Sequence, residues 1–357
     1  MAEAGDIVGL SIPFTAGVAA AALVPPGPWR CQLCFLAVMA AATAMVVFCL
    51  KGRRAFLAAL MFFFIGAASL LGDEISSHPS AGWTSGFASG ALERLCAAID
   101  SIRFEDSRTA PLVKALLTGK RDSLERQTVQ IFRESGASHI LALSGLHLGV
   151  IYAILGRALA VLGNSRAASA VRSVLIIGAS FFYMIMTGAS DSIVRAFLFI
   201  TINETLRHCP SRRRNPLHVL FTALMIQLAF RPASIRSPGF QLSYLAMLGI
   251  FTLYARMEKW YPDSMPHDVP RKIWKSLALS LSCQTFTAPL VWARFHTFPK
   301  YFFMTNLLAL PITELFMVSS VICVTGAVAG WCPDIMKSPV DLLARTLLFC
   351  LETVSAM

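Results

Sequence analysis

The feature that most constrains this chain is a series of apolar stretches, each close to the length that a helix needs to cross a lipid bilayer. A membrane-spanning helix takes ~20 consecutive, mostly apolar residues. Such stretches cover residues 7–24, 31–50, 55–71, 141–162, 171–187, 192–206, 217–230, 240–255, 277–293, 302–330 and 340–356. A single soluble core cannot bury this many apolar helices. The pattern therefore predicts an all-α, polytopic integral membrane protein with about 11 transmembrane helices.

The composition agrees with this class. Of the 357 residues, 56% are hydrophobic and only 14% are charged, a balance that excludes an ordinary soluble domain. The nine cysteines are odd in number and most lie inside apolar stretches, so they do not indicate a disulfide framework. A formal net charge of +11 suits anionic lipid, nucleic acid or basic loops equally, and it does not choose between them.

Clusters of basic residues between the apolar stretches predict how the chain is oriented. Positive charge concentrates at residues 51–54, 207–214 and 256–275, and Arg166 and Arg172 flank a further short loop. Short loops of this kind face the cytoplasm, and counting the crossings between them places the N-terminus inside as well. Glu3 and Asp6 stand where a secretion signal would carry Lys or Arg, so no cleaved signal peptide is predicted.

The same interpretation divides the chain into three segments. Residues 1–71 form an N-terminal segment of three spans, residues 72–138 form an extracytoplasmic loop with amphipathic helices, and residues 139–357 form a membrane core. In the middle segment, apolar residues recur at helical spacing over 92–102, and Gly119 ends a second short helix. These helices are too short and too charged to cross a bilayer. We expect them to lie along the outer membrane surface or over the mouth of the core.

The stretch at residues 135–150 carries polar side chains into a predicted span. On a helix that starts near Leu141, Ser144 and His147 lie three positions apart and share one face. Polar groups inside a membrane are costly and commonly functional, so this face is predicted to line a cavity. The glycines of another face predict a close helix–helix contact; they are Gly145, Gly149 and Gly156. Polar contacts that only hold helices together remain the alternative explanation for Ser144 and His147.

Arg195 lies in the outer third of a predicted span, where a charged side chain costs roughly 2.5–3.5 kcal/mol to insert. We therefore expect its guanidinium to face water or a partner. Asp191 precedes it by four positions, the spacing of a local ion pair on a helix. A local ion pair and a cavity-lining role are compatible, and the sequence leaves both open.

Further polar residues occur on other predicted spans. One polar group in a span is ordinary packing, but several spans that each carry one indicate a shared hydrophilic interior. Besides Ser144, His147 and Arg195, the residues predicted to line this interior are Gln241, Tyr244, Gln284 and Asn306. The sequence has no clustered metal-ligand motif and no phosphate-binding loop, so we expect no metal, no cofactor and no enzymatic activity.

Five short motifs occur in an order that points to a family. They are ALLTGKR at 115–121, GASHILALSGLHLGV at 136–150, GASDSIVRA at 188–196, RPASIRSPGFQLSY at 231–244 and NLLALP at 306–311. Together they resemble the competence domain of the ComEC family of bacterial DNA-uptake proteins, over residues 92–357. The resemblance implies a multi-pass channel in the bacterial inner membrane, with residues 139–357 as its core. Such a channel passes one DNA strand into the cytoplasm during natural transformation, and the seven polar residues would line the DNA path.

The resemblance also implies partners. Single-stranded DNA is the expected substrate, and an extracytoplasmic DNA receptor is expected to deliver it. An inside-negative potential opposes the entry of each phosphate charge by ~2.3 kcal/mol per 100 mV, so we expect a cytosolic motor ATPase to pull the strand.

The chain departs from the family pattern at three points. Longer members carry an OB-like domain and a metallo-β-lactamase-type nuclease domain. The loop at 72–90 is too short for the first, and the 357 residues stop before the second, so we expect a separate nuclease. Glu314 is an acid where the family pattern favours an apolar residue.

Two other functions are compatible with the same residues. An intramembrane serine hydrolase would use Ser144 as its nucleophile. However, Ala142 replaces the glycine of a G-x-S-G motif, and His147 follows on the same helix, a poor position for its base. A transporter of another anion would use Arg195 and the polar faces equally well. Uptake of labelled DNA would separate both from a DNA channel.

Overall fold

The computed structural model describes residues 6–25, 27, 29–51, 54–76, 84–163, 165–209, 215–261, 269–296 and 302–356. Within these ranges the regular elements are helices and no strand occurs, which confirms the all-α class.

Sixteen α-helices follow one another along the described residues. In chain order they are α1 (Asp6–Ala22), α2 (Trp29–Lys51), α3 (Arg54–Ser76), α4 (Thr84–Ser101), α5 (Thr109–Thr118), α6 (Arg126–Glu134), α7 (Ser138–Leu141), α8 (Gly145–Ala158), α9 (Arg166–Met186), α10 (Asp191–Arg207), α11 (Pro216–Phe230), α12 (Pro238–Gly249), α13 (Ala255–Glu258), α14 (Val269–Phe295), α15 (Phe302–Val328) and α16 (Asp334–Ser355). A 3₁₀ turn at Leu159–Leu162 extends α8, and another at Pro232–Arg236 joins α11 to α12. A π-helical turn at Ile250–Tyr254 joins α12 to α13.

Four helical segments are long and apolar enough to cross a bilayer, judged by length and composition over the described residues. They are Phe56–Asp73, Gly145–Leu162, Arg166–Met186 and Phe302–Val328. Shorter apolar helices, Ile7–Ala22 and Pro216–Phe230 among them, have 10–17 residues. These segments indicate a membrane protein, whereas the total of about 11 spans stays a prediction.

The chain divides into two compact units, each built from two parts of the sequence. Unit 1 comprises Met1–Ala81 and Thr201–Phe251, and unit 2 comprises Gly82–Ile200 and Thr252–Met357. Two of the three boundaries fall within regular elements, one in α10 and one in the π-helical turn. The three segments expected from the sequence concern the side of the membrane that each part faces, whereas the two units concern which helices pack together. The three segments therefore stay a prediction.

In unit 1, α3 is the central helix, because α1 and α2 both pack along it. Helix α1 also packs against α11. A Cβ atom placed on Gly17 of α1 would overlap the carbonyl oxygen of Phe63, and one placed on Gly66 of α3 would overlap the carbonyl oxygen of Phe14. The two backbones therefore meet at a pair of glycines, an arrangement typical of helix pairs in membranes.

In unit 2, α5 is the central helix. Seven of its ten residues are buried, and Leu112, Val113 and Leu116 have no exposed surface. Helices α4, α15 and α16 all pack against it. Helix α5 is therefore enclosed by protein on more than one side. The expectation that the helices of residues 72–138 lie along the outer surface or over the mouth of the core stays a prediction.

Helix α5 ends as its sequence predicts. Gly119 has a φ of 79°, and its N–H donates a hydrogen bond to the carbonyl oxygen of Ala115. Glycine adopts this left-handed conformation without the steric cost that a Cβ atom brings. The side chain of Leu143 fills the space where a Cβ of residue 119 would lie, so this turn also contacts the segment before α8.

Helices α15 and α16 form the largest helix pair of unit 2. Helix α15 continues through Pro311 as one helix of 27 residues. Helix α16 packs along it and carries Asp341, Arg345 and Glu352 at spacings that share one face. The span predicted at 340–356 is therefore an amphipathic helix and is not among the four apolar segments.

Candidate functional site

The candidate site begins where a short break separates α7 from α8. Helix α7 ends at Leu141, and Ala142 and Ser144 are extended before α8 starts at Gly145. The prediction of a helix that runs unbroken from Leu141 is therefore wrong. Ser144 is the N-cap of α8, and its Oγ accepts a hydrogen bond from the N–H of Leu146 at 3.2 Å. The polar side chain of Ser144 therefore stabilises the N-terminus of α8.

His147 completes this cap from the third position of α8. Its Nδ1 accepts a hydrogen bond from the backbone N–H of Ser144 at 3.1 Å. Because Nδ1 is an acceptor, the neutral ring carries its proton on Nε2. The side chain is fully buried, and Nε2 has no hydrogen-bond partner in the described part of the chain. The ring therefore presents one unsatisfied donor to the interior of unit 2.

The contact between Ser144 and His147 is also relevant to the alternative function, an intramembrane serine hydrolase. The expectation that His147 is badly placed to be the base for Ser144 is wrong as to distance, since Oγ lies 3.0 Å from Nδ1. Both atoms are nevertheless engaged in the cap, through the N–H groups of Leu146 and Ser144. A catalytic triad also needs a group that orients the base, and among the described residues His147 has none on Nε2. The cap accounts for the pair without catalysis.

Arg195 lies in the second turn of α10 with only 9% of its surface exposed. A Cβ atom placed on Gly145 would lie 3.0 Å from the Arg195 Nη2 and 3.5 Å from the Ala196 Cβ. Gly145 therefore lets the guanidinium approach the first turn of α8, where a larger side chain would displace it. The pairing of Arg195 with Asp191, which is half-buried on the same helix, stays a prediction.

This contact places positive charge inside unit 2. The N–H groups at a helix N-terminus carry the equivalent of about half a positive charge, and the guanidinium of Arg195 adds a full one beside the first turn of α8. Both favour an anion, whether it is the carboxylate of Asp191 or the phosphate of a ligand.

The turn before α10 sets the position of Arg195. Gly188 and Ala189 both have positive φ values, 81° and 48°. The Ala189 N–H donates to the carbonyl oxygen of Met184 at 2.8 Å, which closes the end of α9 and starts α10 close by. A left-handed conformation costs a residue with a Cβ roughly 1–2 kcal/mol. The turn therefore holds Ala189 in a conformation that it does not favour by itself.

Asn306 and Gln284 lie in the same unit on other helices. The Asn306 Oδ1 is buried and has no hydrogen-bond partner in the described residues. The neighbouring Thr305 donates to the carbonyl oxygen of Ser135 at 2.6 Å, which ties α15 to the end of α6. Gln284 is half-buried on α14. Buried polar atoms without a protein partner are uncommon, and they are a feature of interiors that admit water, ions or ligands.

Gln241 and Tyr244 belong to unit 1 and make hydrogen bonds within it, while the buried Gln241 Oε1 has no partner among the described residues. The Gln241 Nε2 donates to the carbonyl oxygen of Ile235 at 2.6 Å. The Tyr244 hydroxyl donates to the Gln227 Oε1 at 2.9 Å, and both of these side chains are buried. The structure therefore places five of the seven predicted lining residues in unit 2 and two in unit 1. A single path lined by all seven stays a prediction.

The three glycines of α8 differ in their surroundings. Gly145 lies against Arg195 and Ala196, as the contact above shows. No described atom outside the helix backbone lies within 4 Å of a Cβ placed on Gly149 or Gly156. A helix-packing role for Gly149 and Gly156 stays a prediction.

Sequence reasoning missed Asp341, a carboxylate with 3% of its surface exposed. It accepts hydrogen bonds from the Thr109 Oγ1 at 2.6 Å, the Glu105 N–H at 2.9 Å and the Asp106 N–H at 3.4 Å. These contacts tie α16 to the turn before α5. The regular spacing of Asp341 and Arg345 within an apolar stretch was the signal for this polar contact.

Metal and disulfide chemistry do not stand out in the part of the chain that the structure describes. No three His, Cys, Asp or Glu side chains group there as metal ligands would. Cys323 and Cys332 bring their sulfurs to 3.5 Å as free thiols.

Apolar helices of bilayer length, a glycine-mediated helix pair and polar groups buried between helices together define an α-helical membrane protein. The chain belongs to the competence protein family, whose model matches residues 116–357. This match confirms the family resemblance carried by the five sequence motifs.

Two relatives extend the comparison. The chain is 26% identical over 234 residues to ComE operon protein 3 of Bacillus subtilis (strain 168), an alignment that covers 64% of this chain and 28% of that protein. It is 27% identical over 197 residues to an uncharacterized protein of Aquifex aeolicus (strain VF5), covering 53% of this chain and 41% of that one. The chain thus spans less than half the length of either relative. No solved structure matches it.

Proposed function

We propose that this chain takes part in DNA uptake during competence, as an inner-membrane channel through which single-stranded DNA reaches the cytoplasm. Membership of the competence protein family supports the role in competence. Four helical segments of bilayer length support a membrane location. The finer role rests on the polar groups inside unit 2.

The observation that carries the proposal is the buried guanidinium of Arg195 against the first turn of α8. In a low-dielectric interior, a fixed positive charge lowers the electrostatic cost of a passing phosphate. The His147 Nε2–H lies on the same turn of α8 and offers a hydrogen bond without a fixed charge. A fixed positive charge and a hydrogen-bond donor, both at the first turn of α8, are groups of the kind that bind a phosphate backbone.

Partners follow from the energetics of moving a polyanion. An inside-negative potential opposes inward movement of each phosphate charge by ~2.3 kcal/mol per 100 mV. A channel alone cannot import DNA against this field, so a cytosolic motor ATPase pulls the strand, and an extracytoplasmic receptor delivers it. A separate nuclease removes the other strand, and the channel itself performs no chemistry. The N-terminus faces the cytoplasm.

The test is the transformation frequency of a deletion strain that carries Arg195→Gln. The substitution removes the charge but keeps a polar side chain of similar reach, so we expect normal membrane insertion and loss of most transformation. The matched control is Arg157→Gln, which removes the same charge from an exposed position in the last turn of α8. We expect that control to transform normally.

Two results would count against a DNA channel. The first is a normal transformation frequency for Arg195→Gln at wild-type protein level. The second is uptake by the purified chain in vesicles of a small organic anion, but not of a fluorescent single-stranded oligonucleotide under an imposed inside-positive potential. That outcome would favour a transporter of another anion, which the same guanidinium would serve.

A further inference from the structure

We propose that Cys323 and Cys332 form a reversible disulfide site, which ties the end of α15 to the turn that leads into α16. This turn comprises residues 329–333 and is called the α15–α16 turn. Both cysteines are free thiols in this structure, and the proposed uptake function uses neither of them. The inference is therefore independent of that function.

The two thiols already lie in contact. The sulfur atoms of Cys323 and Cys332 are 3.5 Å apart, whereas a disulfide bond is ~2.05 Å long. The sulfurs must therefore approach by only ~1.5 Å, a movement that rotation of the two side chains can supply. Cys323 is fully buried in α15, and Cys332 is half-buried in the turn. One thiol of the pair is thus accessible to a small reagent, and the other is shielded by the helix packing.

Backbone hydrogen bonds fix the position of Cys332 beside α15. Gly330 has a φ of 78°, and the N–H of Trp331 donates to the carbonyl oxygen of Gly326 at 2.9 Å. This arrangement commonly closes a helix that ends in a left-handed glycine. A Cβ atom placed on Gly326 would lie 2.7 Å from the carbonyl oxygen of Trp331, so the turn lies directly against the helix. Cys332 is the next residue, and the backbone of the turn therefore holds its thiol near Cys323.

The start of α16 lies against the same part of α15. A Cβ atom placed on Gly326 would also lie 3.4 Å from the Met336 Sδ, which belongs to the first turn of α16. Further along α16, Asp341 accepts a hydrogen bond from the hydroxyl of Thr109, the first residue of α5, at 2.6 Å. A bond across the α15–α16 turn would therefore tie the start of α16 to α15 and help to hold Asp341 at α5.

The reaction is thiol–disulfide exchange, with an external disulfide as the oxidant. The Cys332 thiolate attacks one sulfur of that disulfide, forms a mixed disulfide and displaces the other sulfur as a thiolate. The Cys323 thiolate then attacks the Cys332 sulfur, forms the bond between the two cysteines and displaces the second external thiolate. Two protein thiols are oxidised, and one external disulfide is reduced to two thiols, which take up the two protons. The second step is fast because the turn holds the two sulfurs together, which raises their effective concentration.

The test treats the purified protein in detergent with hydroxyethyl disulfide, a small water-soluble disulfide. Remaining thiols are then blocked under denaturing conditions, and the chain is digested with chymotrypsin, which can cut at Trp331 between the two cysteines. Mass spectrometry measures how fast linked peptides appear. We expect the link between Cys323 and Cys332 to form at least about tenfold faster than one between Cys323 and Cys350. Cys350 is the matched comparison because it is also a half-buried free thiol but lies ~24 Å along α16 from Asp334.

Thermal unfolding of the same samples is the second measurement. A bond across the turn restricts the unfolded chain, so we expect oxidation to raise the unfolding midpoint by at least ~3 °C and dithiothreitol to reverse the rise. Cys332→Ser should abolish the rise. Cys350→Ser, at another half-buried cysteine, should leave it intact. If Cys332→Ser does not fold, the peptide mapping of the unaltered chain still decides.

Three results would overturn the disulfide site. One is a mixed disulfide that stays on Cys332 without closing onto Cys323, because the two thiols would then not be placed to react with each other. Another is an equal rate of linkage of Cys323 to Cys332 and to Cys350. The third is a linked pair that leaves the midpoint unchanged, or a rise that survives Cys332→Ser. No DNA enters these measurements, so they leave the proposed uptake function untouched.

Discussion

Ser144 illustrates how a polar residue in an apolar sequence is first explained by the backbone that it serves. Its spacing from His147 predicted a shared face, and the structure puts the two side chains 3.0 Å apart. The two side chains lie close together because both take part in the N-cap of α8. What the sequence could not reveal is that the helix begins at Gly145, because the apolar run continues unchanged through the break.

We predict that Ser144→Ala destabilises the protein by about 1 kcal/mol, the usual cost of losing an N-cap. Ser165→Ala is the matched control, since the Ser165 Oγ caps α9 in the same way by accepting the Ala168 N–H. Thermal unfolding in detergent should show similar losses for both. Covalent labelling of wild-type protein by a fluorophosphonate at Ser144, but not at Ser165, would instead favour the hydrolase.

Arg195 can be tested for the two roles that its sequence context left open. If it only neutralises Asp191, the exchange Asp191→Arg with Arg195→Asp should restore folding and transformation together. If it faces the strand, the exchange moves the charge by about one helical turn, ~5.4 Å, and should not restore transformation. Arg195→Lys should keep much of the activity, because a point charge suffices for a phosphate.

The measurement is transformation frequency at matched protein level. Full recovery of the transformation frequency in the exchange variant would show that Arg195 serves packing alone. We expect His147→Ala to cost less than Arg195→Gln, since a neutral lining group offers a hydrogen bond without a field.

At the scale of the secondary-structure element, hydrophobic periodicity predicted where most helices lie, but it did not predict which of them are enclosed by other helices. Spacing indicated α4 over residues 92–102 and the glycine at the end of α5, whereas residues 84–90, predicted as loop, form the start of α4. Spacing did not indicate the enclosure of α5, because amphipathic spacing is satisfied equally by lipid, water or protein on either face. Contacts such as Thr109 to Asp341 join residues 232 positions apart, and no local pattern encodes them.

The glycine pair of unit 1 allows a sharp test of helix packing. We predict that Gly17→Leu prevents stable assembly of α1 on α3, because its Cβ would meet the backbone of Phe63 and backbone cannot yield as a side chain can. Overpacking of this kind costs at least about 1–3 kcal/mol.

Gly9→Leu is the matched control on the same helix, since no described atom lies within 4 Å of a Cβ placed there. Fluorescence-detected size-exclusion chromatography after heating should show a lower midpoint for Gly17→Leu alone. Equal midpoints for the two variants would contradict the close contact.

At the scale of the whole molecule, composition and the five motifs were enough to predict an all-α chain and its family. The number of membrane crossings was harder to predict. Helices α10 and α16 carry charged residues within apolar stretches, and which of their faces are buried depends on the helices packed against them. The division into two units could not be predicted, since it depends on which distant helices pair.

The predicted orientation can be tested directly. We expect the N-terminus and the Arg212–Arg214 loop to be cytoplasmic, and Trp83 to lie outside; these positions fall outside the described residues. Phe132 was also expected outside, but it is fully buried and so cannot report on the side it faces. Labelling of Trp83→Cys only from the cytoplasmic side would contradict the orientation.

The interleaving of the two units also has a consequence for biosynthesis. Helices α1 to α3 leave the ribosome early, yet α11, which packs on α1, ends about 150 residues after α3. At roughly 5–20 residues per second, this separation is about 8–30 s of translation. During that time the surface of α1 that packs on α11 stays without its later neighbour, and unit 2 is likewise begun before unit 1 is finished. Newly made chains therefore need protection in the membrane for most of their synthesis, and premature release before residue 216 would leave both units incomplete.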